Sequence, residues 1–168
     1  MQKKNTPASV IAFGGVMAAL AVVVQWLGGI ITIATYVCPV ICIFLTKLVL
    51  TVCGERIAWA WYGAVAILGL LLSPNLEAAA VFLFLGYYPI LKPRLDRSKL
   101  KWVWKILLFN GAILVMYGIL GYVLGMEELV EDVQGGGTAM FLVLMALGNL
   151  TFFLVDRILT RGIRRRHG

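Results

Sequence analysis

Residues 7–28 read PASVIAFGGVMAALAVVVQWLG, a run without Asp, Glu, Lys, Arg or His. That is about the 20 residues a helix needs to cross a hydrocarbon core. It is too long for the apolar region of a cleavable signal, and further apolar runs follow at once. Five more can be drawn outward from it, giving spans Pro7–Gly28, Thr35–Cys53, Ile57–Leu72, Leu76–Leu91, Trp102–Leu124 and Thr138–Leu159. The pattern predicts an all-α, polytopic membrane protein: a single domain over residues 1–168 with six transmembrane helices. The short third and fourth spans need a thin local bilayer or shelter within the bundle.

Charge orients this arrangement. The 15 Lys and Arg residues sit at Lys3 and Lys4, Lys47, Arg56, Lys92 to Lys105, and Arg157 to Arg166. The alternate connections carry no basic residue and hold Glu77, Glu127, Glu128, Glu131 and Asp132. Basic residues mark the cytoplasmic loops of a polytopic protein, so both termini are expected in the cytoplasm. Trp59, Trp61, Trp102 and Trp104 fall near the inner boundary and Trp26 near the outer one, as interfacial belts require.

Composition closes off other classes. Apolar residues make up 61% of the chain and charged residues 14%, against about half and a quarter in soluble domains. The net charge of +7 gathers at span borders, which points to anionic lipid and away from nucleic acid. Cys38 and Cys42 lie one helical turn apart, and Cys53 is in the same span. Without a His or carboxylate beside them they read as small packing residues, and no metal or cofactor is expected. The chain has no phosphate-cradling Gly-Lys loop, no GxSxG and no HExxH. Glu77 has no carboxylate at helical spacing, so no enzymatic activity is expected.

Several polar or small residues fall inside the spans. Ala8 and Ala12, Gly14 and Ala18, and Gly15 and Ala19 are small residues four apart, a spacing that lets another helix come close. They serve contacts within the bundle or a docking face for another membrane subunit. Lys47 lies about 9–10 Å inside its helix end, where it pairs with Asp156 or snorkels to the surface. Gln25, Asn110 and Asn149 suit interhelical hydrogen bonds. Glu77 either caps the fourth helix or meets a solute. Pro89 should kink or end that helix, and the basic run Lys92 to Lys101 anchors topology or binds a partner. The stretch from Met126 to Gly137 is a candidate lid or a passive linker.

The small-residue first helix, the Pro39-containing second span and the Gly54-Glu55-Arg56 turn resemble the substrate-binding S components of energy-coupling-factor (ECF) vitamin transporters. The Gly86-Tyr87-Tyr88-Pro89 string ending at Lys92, with Asp156-Arg157, is similar to uncharacterised bacterial members of that group. The resemblance implies a bacterial cytoplasmic membrane location and a solute pocket in the outer half, lined by helices four to six and the outer loops. It also implies that Ala12, Gly15 and Ala19, or the adjacent Ala8, Gly14 and Ala18 row, dock on a membrane-embedded coupling subunit driven by cytoplasmic ATPases. On this reading Trp26, Tyr36, Asn75, Glu77 and Tyr122 are the candidate solute contacts. The alternative is a non-transporting sensor or scaffold that binds partners or anionic lipid through the Lys92 to Lys105 connector and the Arg164 to Arg166 tail.

Overall fold

The computed structural model describes residues 7–30, 34–97, 99–123 and 137–164. It is all-α, with no strand among the described residues. The helices are α1 (Pro7–Ile30), α2 (Ala34–Cys53), α3 (Glu55–Leu72), α4 (Leu76–Leu85), α5 (Tyr88–Leu95), α6 (Lys101–Gly118) with a π-helical extension Ile119–Val123, and α7 (Gly137–Arg164). Three of them are long and apolar enough to cross a membrane, over Ala8–Ile30, Glu55–Leu72 and Lys101–Gly121; Val37–Cys53 is a shorter apolar helix. The chain divides into two compact units, Met1–Arg94 and Leu95–Gly168.

In the first unit α1, α2 and α3 surround α4. Helix α4 explains that placement by its composition: Leu76 to Leu85 has one charge, at Glu77, and Ala78, Ala79, Ala80, Val81, Phe82 and Leu85 are all buried. A helix apolar on every side belongs in an interior. The core joins Ala21, Cys42, Val49, Ala58, Trp61, Val65, Ala66, Phe82 and Ile90. Its polar groups find backbone acceptors. The Trp61 indole donates to the Gly14 carbonyl at 3.0 Å, and the Cys42 thiol donates to the Ala21 carbonyl at 3.5 Å.

Local chemistry sets the turns. Gly54 joins α2 to α3 at φ 89°, a conformation that favours glycine. Ser73, Pro74 and Asn75 turn the chain into α4, where Asn75 Oδ1 accepts from the backbone N–H of Glu77 at 2.8 Å and of Ala78 at 3.3 Å. That satisfies two amides that a helix start otherwise leaves without partners. Glu77, in the first turn, has the sign the helix dipole favours.

The fourth expected span, Leu76–Leu91, is broken. Helix α4 stops at Leu85, and Gly86 and Tyr87 turn the chain into α5. The Gly86 N–H reaches the Phe82 carbonyl at 2.6 Å, and a Cβ on Gly86 would sit 2.6 Å from the Phe82 ring. The Tyr62 hydroxyl donates to the Leu83 carbonyl at the same place. Pro89 therefore stands in the first turn of α5, where its missing N–H costs no helical hydrogen bond, and the interruption comes before it.

In the second unit α6 and α7 run antiparallel along a shared seam. Phe109 stacks on Phe152 with centroids 4.7 Å apart, and Trp102 stacks on Phe153 at 5.4 Å. Asn110 and Asn149 exchange two amide hydrogen bonds of 3.1 and 3.0 Å, and each also donates to the carbonyl four residues back in its own helix.

Candidate functional site

The two small-residue rows of α1 have different surroundings. In the row of Ala8, Gly14 and Ala18, Ala8 is exposed, Gly14 is buried and Ala18 is half-buried against the core, and Ala21 beyond them is buried. Ala12, Gly15 and Ala19 are exposed, flanked by Ile11 at 71% and Val16 at 63% exposure. A Cβ added at Gly15 would meet no atom within 4 Å. From Gly14 onward one row thus turns towards the chain's own core, while the other is an exposed apolar strip whose small residues suit close helix approach.

At the end of this unit where α1 finishes, glycines bring the backbones together. A Cβ on Gly28 would lie 2.7 Å from the Cys38 Cβ, and one on Gly29 would lie 2.7 Å from the Pro74 ring. On α3, a Cβ on Gly69 would overlap the Gln25 carboxamide. Gln25 is 1% exposed, and neither its Oε1 nor its Nε2 has a hydrogen-bond partner in the protein. Nearby Thr35 is also buried, but its hydroxyl donates to the Gly28 carbonyl. A buried amide left without partners costs about 1–3 kcal/mol.

The candidate solute contacts distribute as follows. Asn75 and Glu77 meet at this end of the unit, joined by the cap of α4. Gly29 places the end of α1 against the Pro74 ring and the Asn75 backbone. Trp26 is exposed at 49%, on a different side of α1 from buried Gln25. Tyr36 and Tyr122 fall on helical backbone, and their side chains lie outside the described residues, as does the stretch 124–136. The sequence suits Gln25 to an interhelical hydrogen bond, and the structure gives its amide no such partner. Its spacing from Ala21 and Gly28, four back and three on, marks the buried face of α1.

The second unit holds a buried ion cluster. Lys105 Nζ lies 3.0 and 3.1 Å from the two carboxylate oxygens of Asp156, and 2.5 Å from Asp96 Oδ1. It also lies 5.3 Å from the Trp102 ring centroid. The Lys105 and Asp156 side chains are 3% and 6% exposed, whereas Asp96 is 37% exposed. Lys105 had been grouped with the basic connector. Phe109, Ala112 and Met116 follow it at four, seven and eleven residues and are buried with it, so it shares the inner stripe of α6. At the junction of α2 and α3, Glu55 meets Arg94 at 2.5 Å on the surface, a pair worth about 0–1 kcal/mol.

The charged and thiol groups form no metal-holding cluster among the described residues. No protein-family model, curated protein or solved structure matches the chain.

Proposed function

We propose that the chain is a six-span protein of the bacterial cytoplasmic membrane, with both termini inside, that acts as the solute-binding subunit of an ECF-type transporter. It docks on a membrane-embedded coupling subunit through Ala12, Gly15 and Ala19, and cytoplasmic ATPases power the assembly. One observation carries this reading: Ala12, Gly15 and Ala19 are exposed, while Gly14 and Ala21 on the neighbouring face of α1 are buried. Backbones meeting at small residues gain dispersion contacts without needing a hydrophobic driving force, which suits association inside lipid.

The test is copurification of a coupling subunit with the full chain in mild detergent, comparing wild type with Ala12→Leu/Gly15→Leu/Ala19→Leu. The triple variant should fold normally, since its new side chains enter open space, and should lose the partner. Undiminished association would refute the docking role. A sensor or scaffold is the second reading, favoured by the exposure of Arg97, Lys99, Leu100, Lys101, Trp102 and Trp104 along one connector. Basic and aromatic side chains in one exposed run suit an anionic lipid surface. Native mass spectrometry separates the two: a retained small solute supports the first, and retained anionic lipid alone supports the second.

A further inference from the structure

We infer that Gln25 is the recognition residue for an uncharged solute carrying an amide, lactam or ureide edge, bound at the contact between α1 and α3 beside Gly69. The inference deepens the binding-subunit reading and rests on it.

The first observation is the orphaned carboxamide. Both polar atoms of Gln25 are shut from solvent without a protein partner, although the other buried side-chain nitrogens and oxygens among the described residues have one. A polar group held this way within a span is a marker of a solute or ion path. The second is the glycine opposite. A side chain at position 69 would overlap the carboxamide, so the α3 backbone leaves room for a polar group where an apolar pair would otherwise interlock. Beside it, Gly28 packs on Cys38 and Ala34 of α2 and Gly29 on Pro74 and Asn75, so the end of α1 touches its neighbours largely through backbone, cysteine and proline atoms. Such contacts lose few interlocked side chains when α1 and α3 part to admit a ligand.

The ligand class follows from the chemistry. A carboxamide offers a donor and an acceptor side by side, and its complement offers the same two in reverse. Charge is disfavoured by the surroundings. Residues 5–46 and 57–76 contain no Asp, Glu, Lys, Arg or His. An anion would lose its hydration there and meet repulsion from half-buried Glu77 on α4, and a cation would find that one carboxylate without an acidic cluster around it among the described residues.

The test uses the full chain in mild detergent with four matched probes: benzamide and 2-piperidone as neutral amide and lactam, benzoate as anion, benzylamine as cation. Melting temperature is followed in wild type and in Gln25→Met, which keeps the side-chain length without the amide. A neutral probe should raise the wild-type midpoint and leave Gln25→Met unmoved, and neither charged probe should match it. Gln25→Met without ligand should melt about 2–4 °C higher, the shift expected when an unsatisfied amide worth about 1 kcal/mol is removed. The proposal falls if neither neutral probe acts on wild type, if Gln25→Met responds equally, or if a charged probe acts as strongly. Partner copurification is scored on the same samples. Retained association without a neutral-probe response defeats the Gln25 assignment alone, while lost association in wild type defeats the subunit reading.

Discussion

Removing Lys105 should be the most damaging single change in the second unit, and the order of the variants around it follows from exposure. Lys105→Met takes away the cation that holds Asp156 through both carboxylate oxygens at 3.0 and 3.1 Å. Asp156 is 6% exposed and cannot regain water without opening the α6–α7 seam. Breaking a buried pair from one side costs about 3–5 kcal/mol. Asp156→Leu leaves Lys105 buried but still 2.5 Å from Asp96, so its cost should be nearer 1–3 kcal/mol, roughly that of a lost charged hydrogen bond. Asp96 is 37% exposed and well solvated, so Asp96→Ala should cost about 0–1 kcal/mol. Replacing the pair together, as Lys105→Met/Asp156→Leu, should return within about 1 kcal/mol of wild type, because apolar substitutes avoid the desolvation of both ions.

Thermal unfolding in detergent reads these differences at about 2–4 °C per kcal/mol for a chain of this size. Lys105→Met should therefore melt about 6–20 °C low, with the double variant recovering most of the loss. The decisive quantity is the coupling between Lys105 and Asp156, expected at about 2 kcal/mol or more. Additive single effects, or an Asp96→Ala loss equal to that of Lys105→Met, would refute the view that burial of Asp156 controls the cluster.

Two further outcomes test the geometry of the first unit. Gly69→Ala should cost less than about 1 kcal/mol, because its methyl meets the far end of the Gln25 side chain and alanine favours a helix interior; a loss of many degrees in a melting assay would show that the Gln25 carboxamide cannot swing away. Gly54→Ala should cost about 1–3 kcal/mol through its φ of 89° alone, since nothing lies within 4 Å of the new methyl, and Gly54→Ser should match it.

Helix positions were legible because apolar runs and their breakers are local properties. The expected starts at Pro7, Thr35 and Leu76 and the ends at Cys53 and Leu72 lie within one residue of the observed limits. Asn75 as a turn residue was equally readable, since its side chain is the nearest acceptor for the amides that follow it. The break at Gly86 was assigned to Pro89, the stronger breaker by propensity. Tertiary contacts with the Phe82 ring and the Tyr62 hydroxyl place the turn before that proline, at the glycine.

Gln25 and Lys105 were misread for a common reason. The sequence offers Gln25 as an interhelical hydrogen-bonding residue and Lys105 as the end of a basic connector, readings that rest on position along the chain. Depth is one coordinate of a helical residue, and the face is the other. Lys105 falls in register with Phe109, Ala112 and Met116, and Gln25 with Ala21 and Gly28; both patterns could be read from spacing. What spacing cannot supply is the partner. Lys105 faces two carboxylates, one from a connector and one from α7, and Gln25 faces a glycine that offers its amide nothing. Thus the same sequence signal, a polar residue on an apolar stripe, has opposite energetic meanings in the two units. The satisfied case holds a helix pair together, while the unsatisfied one stays unfavourable until a ligand completes it, which makes Gln25 the sharper place to look for function.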